Sequence, residues 1–585
     1  MKHAWMVAPL LLMGLAGCLS DDDGSEGLAA PVNDDVPFLG YEVPEPDMAL
    51  ELIETSFRLP GAGVELYTRV VRPVGEGPFP VVAQFTPYTA PGENAVVDSL
   101  LEPAVGNNDG RFDTEFVRRG YAFAYADVRG TGSSDGCLNL RGQADIDDVG
   151  LLAEWLGTQP WSNGKVGFIG ASYPGSEAHM AALSGNEHVA AVVPIVASTS
   201  FYHYHHNDGV PYRGQHSLGG TNTGYTTEGV TPTLNPDGSV AKLADQPTCP
   251  HVEHAVTYGG TDQTGTYDAW WMERNLRARA ANVTVPVLMA QGLADWNVKP
   301  DHVATWFNAL PGAAAGAPKT FIGGQWGHAY PEDAPDAYGE WWAYAAAFFD
   351  THVKGVDTGM FQTDVAWVQD TDGDWHRSSS FPLQGAEADH RVLDLHKGTM
   401  MEGHAHDHED AMSWNACASD RLVANQLLLP AGQFVPATDP CSDVEDSQLV
   451  WEWTADRDMM LSGVPLLHLD LQSDQAFTHL VAVLEIGGER QNYGYLNPTF
   501  RNGLDAPEAV PTGATYSVTI DFYPQEDLIS KGQTVRLLLG SDDDGRTIEA
   551  FDDGVNTVVW GDEDGKGNRL FLPLRPAHME GVRLG

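Results

Sequence analysis

The sequence predicts an α/β unit built on a mostly parallel sheet and interrupted by an inserted cap, followed by an antiparallel β-sandwich. Three observations carry this. From about Phe79 to Val353, apolar runs that suit strands buried on both faces alternate with helical segments. The alternation breaks from Phe201 to Arg279, a stretch rich in Gly, Thr, His and Asp. After about Val365 the hydrophobic period falls to two, with acidic Gly/Asp turns and little helix. A length of 585 residues fits two or three domains.

Taken in order, FRLPGAGVELYTRVVRP alternates around a Gly-rich turn and reads as an antiparallel hairpin. FPVVAQFTPY reads as a strand, and FDTEFVRRG as a helix stopped by Gly120. YAFAYADVRG is a strand, and DIDDVGLLAEWLGTQP a helix with an Asp cap and a Pro stop. KVGFIG, VAAVVPIVA, VPVLMAQG and KTFIGG are further strands, with SEAHMAALSG a helix after the first of them. The insertion ends in the more helical YDAWWMERNLRARAAN, and YGEWWAYAAAFFDTHV closes the unit. In the final third, LLHLDLQS sets Leu467, Leu469 and Leu471 opposite His468 and Asp470; YSVTIDF and TVRLLLG alternate in the same way. The expected division is 36–200 and 280–354 for the α/β unit, 201–279 for the cap and 355–585 for the sandwich.

Acidic residues outnumber basic ones 81 to 32, a net charge of −49. Such a field repels nucleic acid and anionic lipid headgroups and names no substrate. An apolar content of 42% with 19% charged residues marks a packed chain. Lys2 precedes the apolar run AWMVAPLLLMGLAGC, which is shorter than the ~20 residues a bilayer span needs and reads as a signal peptide over 1–17. LAGC, at Leu15 to Cys18, resembles a lipobox; it implies lipidation of Cys18, a polar tether over 18–35, and an exported protein whose one membrane contact is that lipid anchor. A plain cleaved signal is the alternative. Of the other cysteines, Cys417 with Cys441 is the most local disulfide pairing, leaving Cys137 with Cys249; free buried thiols are the alternative.

VGFIGASYPGS runs a strand into a glycine-flanked serine and then a helix, the turn that displays a nucleophile. Ser172 follows KVGFIG, Asp295 follows VPVLMAQGLA and His328 follows KTFIGGQWG. That Ser, Asp, His order is the chain order of α/β-hydrolases, and the ends of parallel strands converge on one crevice. The chemistry requires these types: a hydroxyl is a weak nucleophile until an imidazole takes its proton, and the imidazole needs a carboxylate to fix its tautomer. Asp301 is the fallback carboxylate. The N–H of Tyr173 and the phenol of Tyr88, ending QFTPY, are placed to hold an oxyanion. Asp127 and Arg129 are expected to order their loop by an ion pair.

The stretch Gly170-Ala171-Ser172-Tyr173-Pro174-Gly175 is one residue longer than the usual G-x-S-x-G elbow. It resembles the CocE/NonD-type serine hydrolases, which join cocaine-esterase-like enzymes, α-amino-acid ester hydrolases and Xaa-Pro dipeptidyl-peptidases. DVRGTGSSDG, WLGTQPWSNGKVGFIGASY, TPY and GQWGHAYP resemble the same group, and QGLADWNVKP looks more like its dipeptidyl-peptidase branch. The resemblance runs from about residue 50 to the C-terminus and implies an α/β-hydrolase fold with a terminal jelly roll. It implies an acyl-enzyme hydrolase of peptide N-termini, with an esterase or amino-acid ester hydrolase as the alternative. A surface binding protein with a vestigial site is a reading from a different class. No metal or organic cofactor is implied. The His clusters His203, His205, His206 and His404, His406, His408 read as structural or solvated, and DTDGD and SDDDG match calcium loops only weakly.

Overall fold

The computed structural model describes residues 40–88, 112, 115–212, 264–333, 340–382, 389–396, 398–402, 411–416, 447–541, 546–547, 554–560 and 567–577. The signal segment, Cys18, Cys249, Cys417, Cys441 and the cluster His404, His406, His408 lie outside them.

Ten strands form the first sheet: β1 (Leu52–Pro60), β2 (Glu65–Pro73), β3 (Phe79–Thr86), β4 (Ala122–Asp127), β5 (Ser162–Ala171), β6 (Val189–Ile195), β7 (Val287–Gly292), β8 (Lys319–Gly324), β9 (Val365–Gln369) and β10 (Trp375–Ser378). Their spatial order is β1-β2-β4-β3-β5-β6-β7-β8-β9-β10. From β4 to β9 every pairing is parallel, and antiparallel pairs close both edges. Alternate side chains feed two separate cores. Val81, Ala83, Phe85, Ala122, Ala124 and Ala126 enter one face, while Val82, Phe123 and Tyr125 enter the other. Such strands must be apolar throughout, which is why their runs stand out in the sequence.

Helix α1 (Gln143–Gly157) lays Ile146, Val149, Leu152, Ala153 and Leu156 on the first face beside α2 (Tyr173–Leu183) and α3 (Asp301–Ala309). Helix α4 (Trp341–Phe349) covers the second with Trp341, Ala345, Phe348 and Phe349. The expected Asp cap of α1 is not used: Gly142 caps it, and Asp145 sits in its first turn accepting from the Arg141 N–H at 2.7 Å.

The second sheet has 13 strands, almost all antiparallel, wrapped around Leu467, Leu469, Leu471, Val518, Ile520 and Leu537. One boundary differs from expectation. The expected sandwich range of 355–585 includes residues 365–378, yet β9 pairs parallel with β8 and β10 pairs with β9, so the sandwich begins with the strand Asp389–His396. An apolar pentapeptide such as VAWVQ suits either sheet; the choice is made by a neighbour distant in sequence.

The two units share a small core. Val210 and Tyr212, from the start of the insertion, pack on Val481, Val483, Tyr493, Tyr495, Tyr523 and Leu538 of the sandwich. A second junction is polar. Asp527, in the strand Gln525–Ile529, is 2% exposed and neither carboxylate oxygen has a hydrogen-bond partner. Burial, then the nearby Glu526 and Asp370, pushes its pKa up to about 8. Glu526 is bound by Arg575 and by Ser462 at 2.7 Å, and Asp370 by His376 at 2.7 Å.

Asp527 is therefore neutral in the folded chain up to about pH 8, whereas in the unfolded chain it ionises near about pH 4. The folded state holds the extra proton between these values, so this residue lowers stability progressively as pH rises from about 4 to about 8. Asp527→Asn removes that dependence. Its melting midpoint should match wild type near pH 4 and exceed it by roughly 2 °C or more at pH 8.5 in thermal denaturation. Equal midpoints across the range would refute this assignment.

Candidate active site

The three expected side chains leave the sheet by one edge. Ser172 follows β5, Asp295 follows β7 and His328 follows β8, and β5, β6, β7 and β8 lie side by side in parallel. Ser172 has φ 62 and ψ −120, a backbone conformation unusual for a side-chain-bearing residue. Its N–H donates to Ile195 O at the end of β6 at 2.9 Å, and its carbonyl accepts from Ser176 N at 3.0 Å, opening α2. The turn closes so tightly that a Cβ on Gly170 would lie 2.5 Å from Pro174 Cβ, and one on Gly175 would lie 2.8 Å from Ala197 Cβ. Both glycines are thus required by backbone approach.

Asp295 is 2% exposed and fully engaged. Its Oδ1 accepts from the N–H groups of Asn297 (2.7 Å) and Val298 (2.9 Å). Its Oδ2 accepts from Gln291 Nε2 at 3.3 Å and from His328 Nδ1 at 2.8 Å. With a proton on Nδ1, the neutral imidazole presents Nε2 as a base. The His328 side chain remains 27% exposed, so that edge is reachable. No hydrogen bond joins the Ser172 hydroxyl to His328 in this structure; contacts of this kind commonly tighten only when substrate binds. The fallback carboxylate, Asp301, is engaged elsewhere: it accepts from Arg277 Nη2 at 2.6 Å.

Tyr173 is the first residue of α2, so its N–H lies at the helix N-terminus next to Ser172. Its ring is fully buried, and its phenol lies within electrostatic reach of Tyr88. Tyr88 is 49% exposed, with its N–H donating to Thr86 Oγ1 at 3.1 Å. The expected Asp127–Arg129 ion pair does not form. Arg129 instead grips Asp148 through two bonds of 2.7 and 2.8 Å, and Asp127 accepts from Ser133 N at 2.6 Å. Asp148 is fully buried and gives the guanidinium a planar, bidentate partner.

One feature behind the serine escapes a sequence reading. The Arg141 guanidinium lies 4.2 Å over the Tyr173 ring and within 5.4 Å of Tyr204. Beneath it, Asp145 and Glu177 are completely buried. Burial and the neighbouring Asp148 raise the Asp145 pKa to about 7, and burial with Asp145 lifts Glu177 well above the carboxylate range. The available signal was Glu177 itself, an acid inside a helix whose every other residue is buried. His203 bonds Ser200 Oγ at 2.7 Å, while His206 stacks on Tyr202 and His205 meets Phe201 edge-on. These imidazoles act as aromatic packing, and among the described residues no group of three His, Cys, Asp or Glu could hold a metal ion. Cys137 is disulfide-bonded to a partner outside the described residues.

A cavity of about 90 Å³ adjoins Asp295, walled by Trp296, Lys299 and Gln325 and, from the sandwich, by Tyr523 and Gln525.

Comparison with known proteins agrees with this architecture. Residues 62–330 match the model of the X-Pro dipeptidyl-peptidase S15 family, and residues 362–563 match that of the X-Pro dipeptidyl-peptidase C-terminal non-catalytic domain. A Bacillus anthracis protein provisionally named Xaa-Pro dipeptidyl-peptidase is 25% identical over 498 residues, covering 80% of this chain and 78% of its own. The Xaa-Pro dipeptidyl-peptidase of Lacticaseibacillus rhamnosus is 28% identical over 222 residues, 35% of this chain and 27% of that protein. Among solved structures, an α-amino acid ester hydrolase superposes with a TM-score of 0.68 at 17% identity, covering 94% of this chain and 100% of the other. A CocE/NonD family hydrolase from Staphylococcus aureus gives 0.67 at 17% identity over 90% of this chain and 94% of its own. These two likenesses establish the α/β-hydrolase fold with its β-sandwich. With both family models matched in order along most of its length, the chain belongs to the X-Pro dipeptidyl-peptidase S15 family of hydrolases.

Proposed function

We propose that this chain removes Xaa-Pro dipeptides from peptide N-termini through an acyl-enzyme on Ser172. The observation that carries the reading is the 2.8 Å bond from His328 Nδ1 to a buried Asp295, on the strand edge that also displays a strained serine. The family match supports a peptide substrate. In the acylation step, Ser172 Oγ attacks the carbonyl carbon of the proline and its proton passes to His328 Nε2. Asp295 fixes the tautomer and stabilises the imidazolium. The oxyanion is held by Tyr173 N–H and the Tyr88 hydroxyl. The imidazolium then protonates the departing amine, and water, activated by the same imidazole, releases the dipeptide.

We also propose export and lipidation at Cys18. The disulfide at Cys137 supports passage through an oxidising compartment, and the LAGC motif supports the anchor.

On an Ala-Pro chromogenic amide, Ser172→Ala should lower kcat by about 10⁴-fold or more and abolish labelling by a fluorophosphonate probe; Asp295→Asn should cost about 10⁴-fold. Tyr88→Phe should lower kcat by about 10²–10³-fold with a smaller change in KM. An amide rate at background beside rapid turnover of a simple aryl ester would replace the peptidase reading with an esterase. In cell fractionation, Cys18→Ser should move the protein out of the membrane pellet; unchanged pelleting would count against the anchor.

A further inference from the structure

We propose that the C-terminal sandwich, described in its family as non-catalytic, holds the Asp295 and His328 loops in working register through two positioning residues, Gln325 and Trp296. The proposal rests on the reading of Asp295 and His328 as the proton relay. Each loop has its own tie. Gln325 lies three residues before His328; its Nε2 donates to Gln369 O at 3.0 Å, at the end of β9 in its own sheet, and across to the sandwich at Glu526 O, 3.2 Å away. Glu526 belongs to the sandwich strand Gln525–Ile529 and is fully buried, so the acceptor is rigid. Trp296 directly follows Asp295. Its ring meets Tyr493 of the sandwich edge-on at 4.5 Å and 90°. The guanidinium of Arg546, also from the sandwich, stands 4.4 Å from the Trp296 ring and 4.5 Å from that of Tyr493, clamping the pair. Tyr493 is 1% exposed, so its ring is packed on all sides.

Within the α/β unit, the Asp295 carboxylate is held by its own loop and by Gln291. The outer side of that loop is where Trp296 reaches the sandwich. Loops beyond strand ends are otherwise the least constrained part of such a sheet, and a displacement of about 1 Å at a reacting group can cost 10²-fold in rate. Two ties, one per loop, from one rigid wall fix the separation that the relay needs.

Gln325→Met keeps the shape and removes the donor. It should lower kcat for the dipeptide amide about tenfold, with KM within about twofold and a melting midpoint near wild type. The acid limb of the kcat/KM profile should move to lower pH as Asp295 loses its hold on the imidazole. Gln325→Glu, which turns an acceptor toward two carbonyls, should be worse than Met. Arg546→Gln should lower kcat severalfold, and Arg546→Lys, which keeps a cation on the rings, should restore it. Wild-type kcat and an unmoved acid limb in folded Gln325→Met overturn the proposal; should that variant fail to fold, Arg546→Gln decides by the same criteria. Ser172→Ala separates the two failures: if it stays active, the serine mechanism itself falls; if it is dead while Gln325→Met is unimpaired, the coupling alone falls.

Discussion

The approach of the β5–α2 turn to its neighbours is closer than any Cβ permits, and the rest of the site depends on it. Gly170 faces Pro174, and Gly175 faces Ala197 together with the Gly170 and Ile195 carbonyls. With both positions bare, α2 can start against the end of β6, and Ser172 is left at φ 62 on the crest. A residue in that region costs on the order of 1–3 kcal/mol, so it persists only where its surroundings over-determine it. Here the over-determination is visible: the Ser172 N–H is fixed by Ile195 O, and its carbonyl by the first turn of α2. The same contacts that strain the backbone leave Ser172 only partly buried at the end of β5.

Much of this was legible in the chain and some of it could not be. Parallel strands buried on both faces leave unbroken apolar runs, and the serine, aspartate and histidine each follow such a run, so their shared edge follows from strand order alone. The Ser172 elbow was readable because glycine is the one residue that fits where the backbones touch. Long-range polar choices left no such trace. Arg129 stands two residues from Asp127 yet pairs with Asp148, because a bidentate fork selects the carboxylate facing it in space. The start of α1 was misplaced because Asp145 satisfies the Arg141 N–H from inside the first turn. The strand Val365–Gln369 was placed in the sandwich because a short apolar segment carries no mark of which sheet it joins. Gln325 and Trp296 carry no mark in sequence, since their sandwich partners Glu526 and Tyr493 lie about two hundred residues away.

The distribution of basic residues follows from the acidity. With 32 Lys and Arg against 81 Asp and Glu, an exposed carboxylate finds its counter-charge in solvent ions, but a buried one cannot. Arginines are accordingly found inside: Arg129 on Asp148, Arg575 on Glu526, and Arg141 beside Asp145 and Glu177. Where one arginine faces two carboxylic acids, burial disfavours two simultaneous charges, and the pKa values of Asp145 and Glu177 rise in response. Behind Ser172, burial thus favours the protonated forms of Asp145 and of Glu177 within α2, which lowers the negative charge packed there.

That arrangement needs Arg141 to stay over Tyr173, and the insertion supplies the brace. Leu140 and Arg141 are both left-handed, at φ 54 and φ 63, two adjacent non-glycine residues in a costly conformation. Arg274, from the returning arm of the insertion, is fully buried, and its Nε and Nη2 donate to Leu140 O at 3.1 Å and Asn139 O at 2.9 Å. Its Nη1 donates to Trp270 O at 2.9 Å, and the guanidinium lies 3.8 Å over the Trp270 ring. The guanidinium fork therefore binds the loop 139–141 to its own helical turn. The contacts run from the insertion through Arg274 to the strained loop, from Arg141 to the Tyr173 ring, and from Tyr173 to the adjoining Ser172. In the proposed mechanism, the insertion and the sandwich brace opposite partners, Ser172 on one side and the Asp295–His328 pair on the other. A hydrolase site spread over three strand ends then owes its geometry as much to the segments outside the sheet as to the sheet itself.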